Sequence, residues 1–314
     1  MALNVRHRFS RNSGKLASAG KVLSGKKKIY LRRLLRLPPP RTTARLKLPY
    51  SMFAADGRLE VRVTRKRQDI IAAQELRYSV FYEELGASAT RRMAAKGRDF
   101  DEFDGRCDHL LVIDHNLPKG QSVVGTYRIL RHEVAMRYGG FYSATEYDIM
   151  PLVANIAQTG ELMELGRSCV HPDYRTNWVI QLLWRGLAGY IQAHEVKYMF
   201  GCASLPGTDA QALKLPLSFL HHEHLAPREL LAHALPERYV DMNLMARDEI
   251  DKAAARKSLP PLIKAYLRLG AFIGDGAVTD RQFDTTDVFI VLPLDRVADK
   301  YREHFKRSEA APAE

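Results

Sequence analysis

Between Leu162 and Ala203 the hydrophobic period of the chain changes twice, and this stretch limits the available folds more than any other. Leu162 to Val170 reads as a strand, with side chains on alternate faces. It leads through His171-Pro172-Asp173 into a helix from about Asn177 to His194, whose apolar stripe Ile180, Leu183, Trp184, Leu187 and Ile191 recurs at helical spacing. Tyr198 to Ala203 is a short strand again. Upstream, Leu59, Val61 and Val63 alternate with polar residues as in a half-buried strand. Asp69 to Leu85 predicts a helix, with Ala73, Leu76 and Val80 on one stripe and Arg77 and Phe81 one turn apart beside it. Strands are expected at His109–Asp114 and Ser122–Arg131, joined by a turn containing Asn116, Pro118 and Gly120. Residues 86–107 have no clear period and read as a long loop carrying Asp99, Asp101, Glu102 and Asp104. Beyond Ser204, helical patterns at Asp209–Phe219 and Pro261–Leu269 precede a last strand, Val288–Leu292. This order of elements implies an α/β (α+β) fold built on a mixed sheet.

The residues with the most informative geometry lie on the Leu162–Val170 strand. Glu164 and Arg167 point to opposite faces of a regular strand, but a bulge near Gly166 would turn both to one side and splay the strand from its neighbour. A cleft opened in that way holds a carboxylate beside a guanidinium, as a general base for an amine nucleophile requires; a structural ion pair is the alternative. Downstream, the turn at Tyr174-Arg175 enters the helix near Ile180, which offers backbone N–H groups and a positive dipole end to a phosphate, or only an ordinary cap. Arg175 would add a bidentate contact. Asp101 and Asp104 are either counter-charges for a cationic substrate or a solvated surface. His221-His222-Glu223-His224 matches neither H-E-x-x-H nor H-x-x-E-H, so no metal site is expected.

Charge divides the chain. Of its 314 residues, the first 50 hold 14 Lys and Arg and no acid, so the net +12 resolves into a basic tail and a nearly neutral body. Within the tail, Lys26 to Leu37 sets Leu31, Leu34 and Leu35 against Arg32, Arg33 and Arg36, the pattern of a short basic amphipathic helix, and Pro38-Pro39-Pro40 ends it. Attachment to an anionic membrane suits this pattern, each basic residue near the surface contributing about 1 kcal/mol. An inert solubilising arm and nucleic-acid binding are the alternatives, the last disfavoured because stacking aromatics are scarce there. The longest uncharged apolar run, Val288 to Leu294, is about seven residues, far below the roughly 20 of a membrane-spanning helix. Cys107, Cys169 and Cys202 form no C-x-x-C, which argues against a disulfide framework or structural zinc and for a reducing compartment.

Several blocks, in order, resemble one family. They are Leu76-Arg77-Tyr78-Ser79-Val80-Phe81-Tyr82-Glu83-Glu84-Leu85-Gly86, Asp108-His109-Leu110-Leu111-Val112, Gly125-Thr126-Tyr127-Arg128, Glu164-Leu165-Gly166-Arg167-Ser168-Cys169-Val170 and Phe200-Gly201-Cys202-Ala203-Ser204. Leu259-Pro260-Pro261-Leu262-Ile263-Lys264-Ala265-Tyr266-Leu267-Arg268-Leu269-Gly270-Ala271 and Phe283-Asp284-Thr285-Thr286-Asp287-Val288 fit the same pattern. The blocks resemble the acyl carrier protein-dependent L-ornithine Nα-acyltransferases of bacterial ornithine-lipid synthesis. That family looks like a branch of the Gcn5-related N-acetyltransferase superfamily, closest in its motifs to the acyl-homoserine lactone synthases.

The resemblance implies a twisted mixed sheet whose two central parallel strands splay in a V around a pantetheine arm, with a helical C-terminal extension from about residue 205. With the charge pattern it gives an expected basic amphipathic or disordered tail over residues 1–50, one acyltransferase domain over 51–305 and a disordered end over 306–314. The implied reaction moves a 3-hydroxy fatty acyl group from acyl carrier protein to the α-amine of L-ornithine, forming lyso-ornithine lipid. Glu164, Arg167 and Ser168 are the expected catalytic residues, with Glu164 as base and backbone N–H groups near Ser168 to Val170 for the oxyanion. Arg77, Phe81, Asp101, Asp104 and Arg128 are expected to bind substrate, Asp101 and Asp104 by meeting the side-chain ammonium. Val170, Arg175, Val179 and Ile180 would line the phosphopantetheine. The superfamily's glycine-rich phosphate loop appears here as Arg175-Thr176-Asn177-Trp178-Val179-Ile180, without glycines, which favours the single phosphate of a carrier protein over coenzyme A. No tightly bound cofactor, metal or nucleic acid is expected. The expected partners are acyl carrier protein, L-ornithine and an anionic membrane met by residues 21–37, at the inner face of the cytoplasmic membrane. Transfer to another amino acid, autoinducer lactone synthesis, and a membrane-surface or nucleic-acid-binding protein without catalysis are the other readings.

Overall fold

The computed structural model describes residues 51–53, 57–118, 120–156 and 160–297. The expected basic helix at 26–37, the prolines behind it and the terminal segment 306–314 lie outside the described residues.

Strands β1 (Ser51–Phe53) and β2 (Leu59–Thr64) form an antiparallel pair. Helix α1 (Arg67–Tyr78) follows and, instead of running regularly to Leu85, widens into a π-helical turn at Ser79–Glu84. Such turns re-aim the side chains that follow and recur at functional sites. The stretch expected as a loop contains a short helix, α2 (Arg91–Lys96). Thr90 caps it by accepting the Met93 N–H at 3.2 Å, and Gly97 ends it at φ 57°.

Strands β3 (Asp108–Asp114) and β4 (Val123–Arg131) lie within a residue of their expected bounds. Helix α3 (His132–Tyr138), strand β5 (Tyr147–Asp148) and helix α4 (Met150–Ile156) lead to β6 (Glu161–Val170). Helix α5 (Asn177–Ala193) and strand β7 (Val196–Pro206) complete the strand, helix, strand unit read from the sequence.

Beyond β7, helix α6 (Lys214–His224) starts later than its expected Asp209. Pro216 explains the shift, because proline is tolerated in a first turn and would break a helix already under way. Then come β8 (His233–Ala234), β9 (Tyr239–Val240), α7 (Lys252–Ser258), α8 (Pro261–Arg268), β10 (Phe272–Asp280) and β11 (Thr285–Pro293). The C-terminal third is thus more than helical: it adds two long strands to the sheet.

The strand order is β1-β2-β3-β4-β6-β7-β11-β10-β8-β5, with β9 on β10. Neighbours are antiparallel except β6 with β7 and β10 with β8. Both faces of the sheet are covered because its strands carry apolar residues on both. Leu183, Leu187 and Tyr190 of α5 pack on Val61, Leu110 and Val112, while Ala73, Leu76 and Val80 reach Leu111, Ile113 and Cys169 on the other side. Each of these buried Leu, Ile and Val side chains contributes roughly 1.5–3 kcal/mol.

Strands β6 and β7 pair only from Glu161 and Val196 to Glu164 and Phe200. Past that point β6 stays on β4 as far as Val170, and β7 stays on β11 as far as Pro206. The two arms therefore diverge and leave a wedge-shaped opening in the middle of the sheet. At its apex the Leu165 carbonyl oxygen lies 2.2 Å from where a Cβ on Gly201 would stand, so only glycine fits there.

Candidate active site

The β6 arm carries the expected bulge, one residue past Gly166. Arg128 faces Gly166 and Thr126 faces Cys169, so Arg167 and Ser168 together oppose Tyr127 alone. It is Arg167, not the glycine, that takes the left-handed backbone, at φ 51°. That conformation costs on the order of 1 kcal/mol for a residue with a Cβ. The guanidinium holds it in place, lying over the Tyr142 and Phe283 rings at 5.2 and 5.0 Å and donating to Asp99 Oδ2 at 3.2 Å. The extra residue brings Glu164 and Arg167 to one wall. With Phe81, Arg128 and Ser168 they line a cavity of about 430 Å³ between the splayed strands.

Glu164 is buried, and burial raises the pKa of its carboxyl group. Three hydrogen bonds pull the other way: Tyr142 N–H donates at 2.7 Å, Ser143 N–H at 2.6 Å and Ser143 Oγ–H at 2.5 Å. The Ser143 oxygen in turn accepts from the Cys202 thiol at 3.6 Å. Burial pushes the Cys202 pKa well above the ordinary thiol range, with Glu146 and Asp287 adding to the rise, so this cysteine is a proton-holding wall group and not a thiolate nucleophile.

Behind the cavity lies a buried network of three arginines and three aspartates. Arg77, wholly buried, donates to Asp99 Oδ2 at 2.7 Å, to the Asp99 carbonyl at 2.8 Å and to Asp104 Oδ1 at 2.9 Å. Arg128 donates to Asp101 Oδ1 at 2.7 Å, and Arg167 lies 3.5 Å from Asp101 Oδ2. Burial alone would raise Asp99 and Asp104, but the surrounding guanidiniums outweigh it and hold both below the usual carboxylate value. The sequence reading sets Asp101 and Asp104 against the substrate. Both are engaged by arginines and neither lines the cavity, nor does Arg77. Asp99, read in the sequence only as part of an acidic loop, is the centre that Arg77 and Arg167 share.

The residues expected to meet phosphopantetheine stand where β6 ends and α5 begins. Val170 closes the strand, Val179 is buried, Ile180 is exposed, and the N-cap Thr176 makes no side-chain cap. Arg175 is already occupied: its two terminal nitrogens grip Glu84 at 2.6 and 2.7 Å and its Nε donates to the Val170 carbonyl at 3.3 Å. It fastens this turn to the π-helical turn and is not an open fork for phosphate. In the histidine-rich segment, His222 bonds the Met245 carbonyl at 3.0 Å and Glu223 pairs with Arg247 and Lys252 at 3.0 and 2.9 Å.

Several cavity residues are not among the expected site residues. Tyr142 and Ser143 sit in a 3-10 turn, and Glu146 and Asp287 come from distant segments joined when the Tyr147 hydroxyl donates to the Asp287 carbonyl at 2.9 Å. Burial and the charge of Asp287 push Glu146 up to about 7, and burial raises Asp287 as well.

Residues 76–185, from the end of α1 through most of α5, match the acetyltransferase (GNAT) domain family. An L-ornithine N(alpha)-acyltransferase of Brucella abortus is 49% identical over 251 residues, covering 79% of this chain and 89% of the relative. One from Agrobacterium fabrum is 47% identical over 258 residues, covering 81% and 87%. The chain belongs to the L-ornithine N(alpha)-acyltransferase family. A solved N-acyl amino acid synthase from uncultured soil microbes covers 79% of this chain and 92% of its own at 10% identity, with a TM-score of 0.40. The splayed mixed sheet is the acetyltransferase fold of this family, and the protein is an acyltransferase.

Proposed function

We propose that this protein transfers a 3-hydroxy fatty acyl group from acyl carrier protein to the α-amine of L-ornithine, yielding lyso-ornithine lipid. The observation that carries the reading is the cavity at the splay of β6 and β7, in a chain 49% identical to an L-ornithine N(alpha)-acyltransferase. The β6 edge that faces β7 loses its strand partner beyond Glu164, which leaves an extended run for a pantetheine arm to lie against. The arm enters past Val170, Val179 and Ile180, its phosphate at the first turn of α5, and Arg175 stiffens that turn through Glu84.

An ammonium cannot attack a thioester, so the α-amine must first give up a proton. Glu164, which lines the cavity beside Ser143, takes it directly or through water. The free amine then adds to the thioester carbonyl. Backbone N–H groups near Ser168 to Val170 hold the oxyanion, and collapse forms the amide while the pantetheine sulfur leaves and accepts a proton. Arg128 and Arg167 face the acceptor's carboxylate, and Asp99, Asp101 and Asp104 hold those arginines in place.

The test is to incubate the protein with 3-hydroxyacyl carrier protein and each amino acid in turn. Mass spectrometry should find L-ornithine acylated at its α-amine. A cyclised lactone, or a different preferred acceptor, would overturn the reading. Glu164→Gln should lower kcat by at least about 100-fold with ornithine binding retained; near-normal turnover would remove Glu164 from the base role.

A further inference from the structure

The cavity has an excess of negative charge that the reaction described above does not use. Five carboxylates and two guanidiniums line it. Both guanidiniums are neutralised from behind, Arg128 by Asp101 and Arg167 by Asp99. Glu164 is accounted for by its three donors. Glu146 and Asp287 are not matched in this way. Glu146 is 4% exposed, and its partners are the Cys202 thiol and the half-exposed Arg238 guanidinium at 3.5 Å. Asp287, 9% exposed, is met by the Thr285 hydroxyl at 2.8 Å and by Ser204, both uncharged. Burial raises the titration of both; the charge of Asp287 adds to the rise at Glu146, and that of Asp280 to the rise at Asp287, against the pull of Arg238 on the first and Arg167 on the second.

Their position is also specific. Ser143 bonds Glu164 at 2.5 Å and accepts from Cys202 at 3.6 Å, and Cys202 in turn contacts Glu146. Glu164 and Glu146, both lining the cavity, are thereby linked through two small side chains. We propose that Glu146 and Asp287 form the subsite for the acceptor's side-chain ammonium, and that they set the preference for a diamino acid over a neutral amino acid of the same length. This inference rests on the acceptor being an amino acid acylated at its α-amine, as proposed above. Binding a second ammonium adds the counter-charge that Arg238 at 3.5 Å supplies only in part, and a methyl end adds none. A site built around a charged partner rejects the analogue lacking it by roughly 100-fold or more.

The experiment compares L-ornithine with L-norvaline, the same carbon chain ending in methyl, as acceptors for wild-type protein, Glu146→Gln and Asp287→Asn. Wild type should favour ornithine by about 100-fold or more in kcat/KM. Each variant should cut that preference at least tenfold, mainly through a higher KM for ornithine. Equal use of both acceptors by the wild-type protein overturns the subsite without any mutant. An unchanged preference in both variants overturns it, and so does loss of turnover on both acceptors in a folded Glu146→Gln, which would make Glu146 the proton acceptor. If the wild-type protein acylates neither, the proposed function itself falls.

Discussion

Arg77 has no exposed surface and donates to two aspartates, so its charge is worth most when every partner is present. Breaking one side of such a network leaves buried charge uncompensated, which costs about 3–5 kcal/mol. Arg77→Met should therefore lower unfolding free energy by about that amount, and a loss of under about 1 kcal/mol in denaturant unfolding would show Asp99 and Asp104 satisfied without it. Glu146 behaves oppositely. Asp99 and Asp104 titrate below their unfolded value, so their contribution is present above about pH 4 and is lost as pH falls through the folded values. Glu146 titrates above its unfolded value of 4.5, near 7, with Asp287, Asp280, Arg238 and Cys202 around it. The folded state then binds more protons than the unfolded one across that window, and stability declines as pH rises from about 4.5 to 7. Glu146→Gln removes that penalty. The ligand-free variant should be more stable than wild type by up to about 3 kcal/mol at pH 8, and no more stable at pH 4. Equal thermal shifts at the two pH values would contradict this.

At the scale of elements, the cleft depends on two strands that must touch once and then part. Gly201 is the point of contact, because the Leu165 backbone oxygen occupies the space of its absent Cβ. Backbone cannot yield as a flexible side chain can, so Gly201→Ala should push β7 from β6 and cost about 1–3 kcal/mol in unfolding free energy. It should also lower acyl transfer in the still-folded fraction; unchanged stability would mean that the apex is looser than this contact requires. The bulge beyond it was legible in Gly166, which marked the site but did not supply the left-handed residue. No local rule predicts Arg167 at φ 51°, since Asp99, Tyr142 and Phe283 hold it and all are distant in sequence. Strand β10 escaped for a related reason. Gly274 and Gly276 and a register shift between Ile273 and Ala277 interrupt its alternation. Helix α3 begins at the end of β4 with no side-chain cap, so no start signal marks it. The long periodic elements were legible because each writes its buried face into the sequence. Glu146 and Asp287 were not, because nothing local distinguishes a carboxylate that will be buried from one that will be solvated.

For the whole molecule, charge separates two tasks. The cavity between the splayed strands is lined by more carboxylates than guanidiniums, and the 14 basic residues of the chain lying before residue 51 have no acid among them. In the proposed reading a free amino acid with two ammonium groups suits the first, and an anionic surface the second. Among the described residues no helix is long and apolar enough to cross a membrane. The proposed product is an amphiphile that has to leave the cavity for a lipid phase, and we propose that residues 21–37 keep the protein at that surface. At about 1 kcal/mol per basic residue near an anionic leaflet, a few such contacts suffice for reversible binding that fades with salt. Sedimentation with vesicles containing anionic lipid should pull down the full chain at low ionic strength. A chain lacking residues 1–48 should stay in solution and still acylate ornithine from the soluble carrier-protein donor. Unchanged vesicle binding would move the anchor to the body; loss of turnover as well would show that the basic segment takes part in delivering the donor.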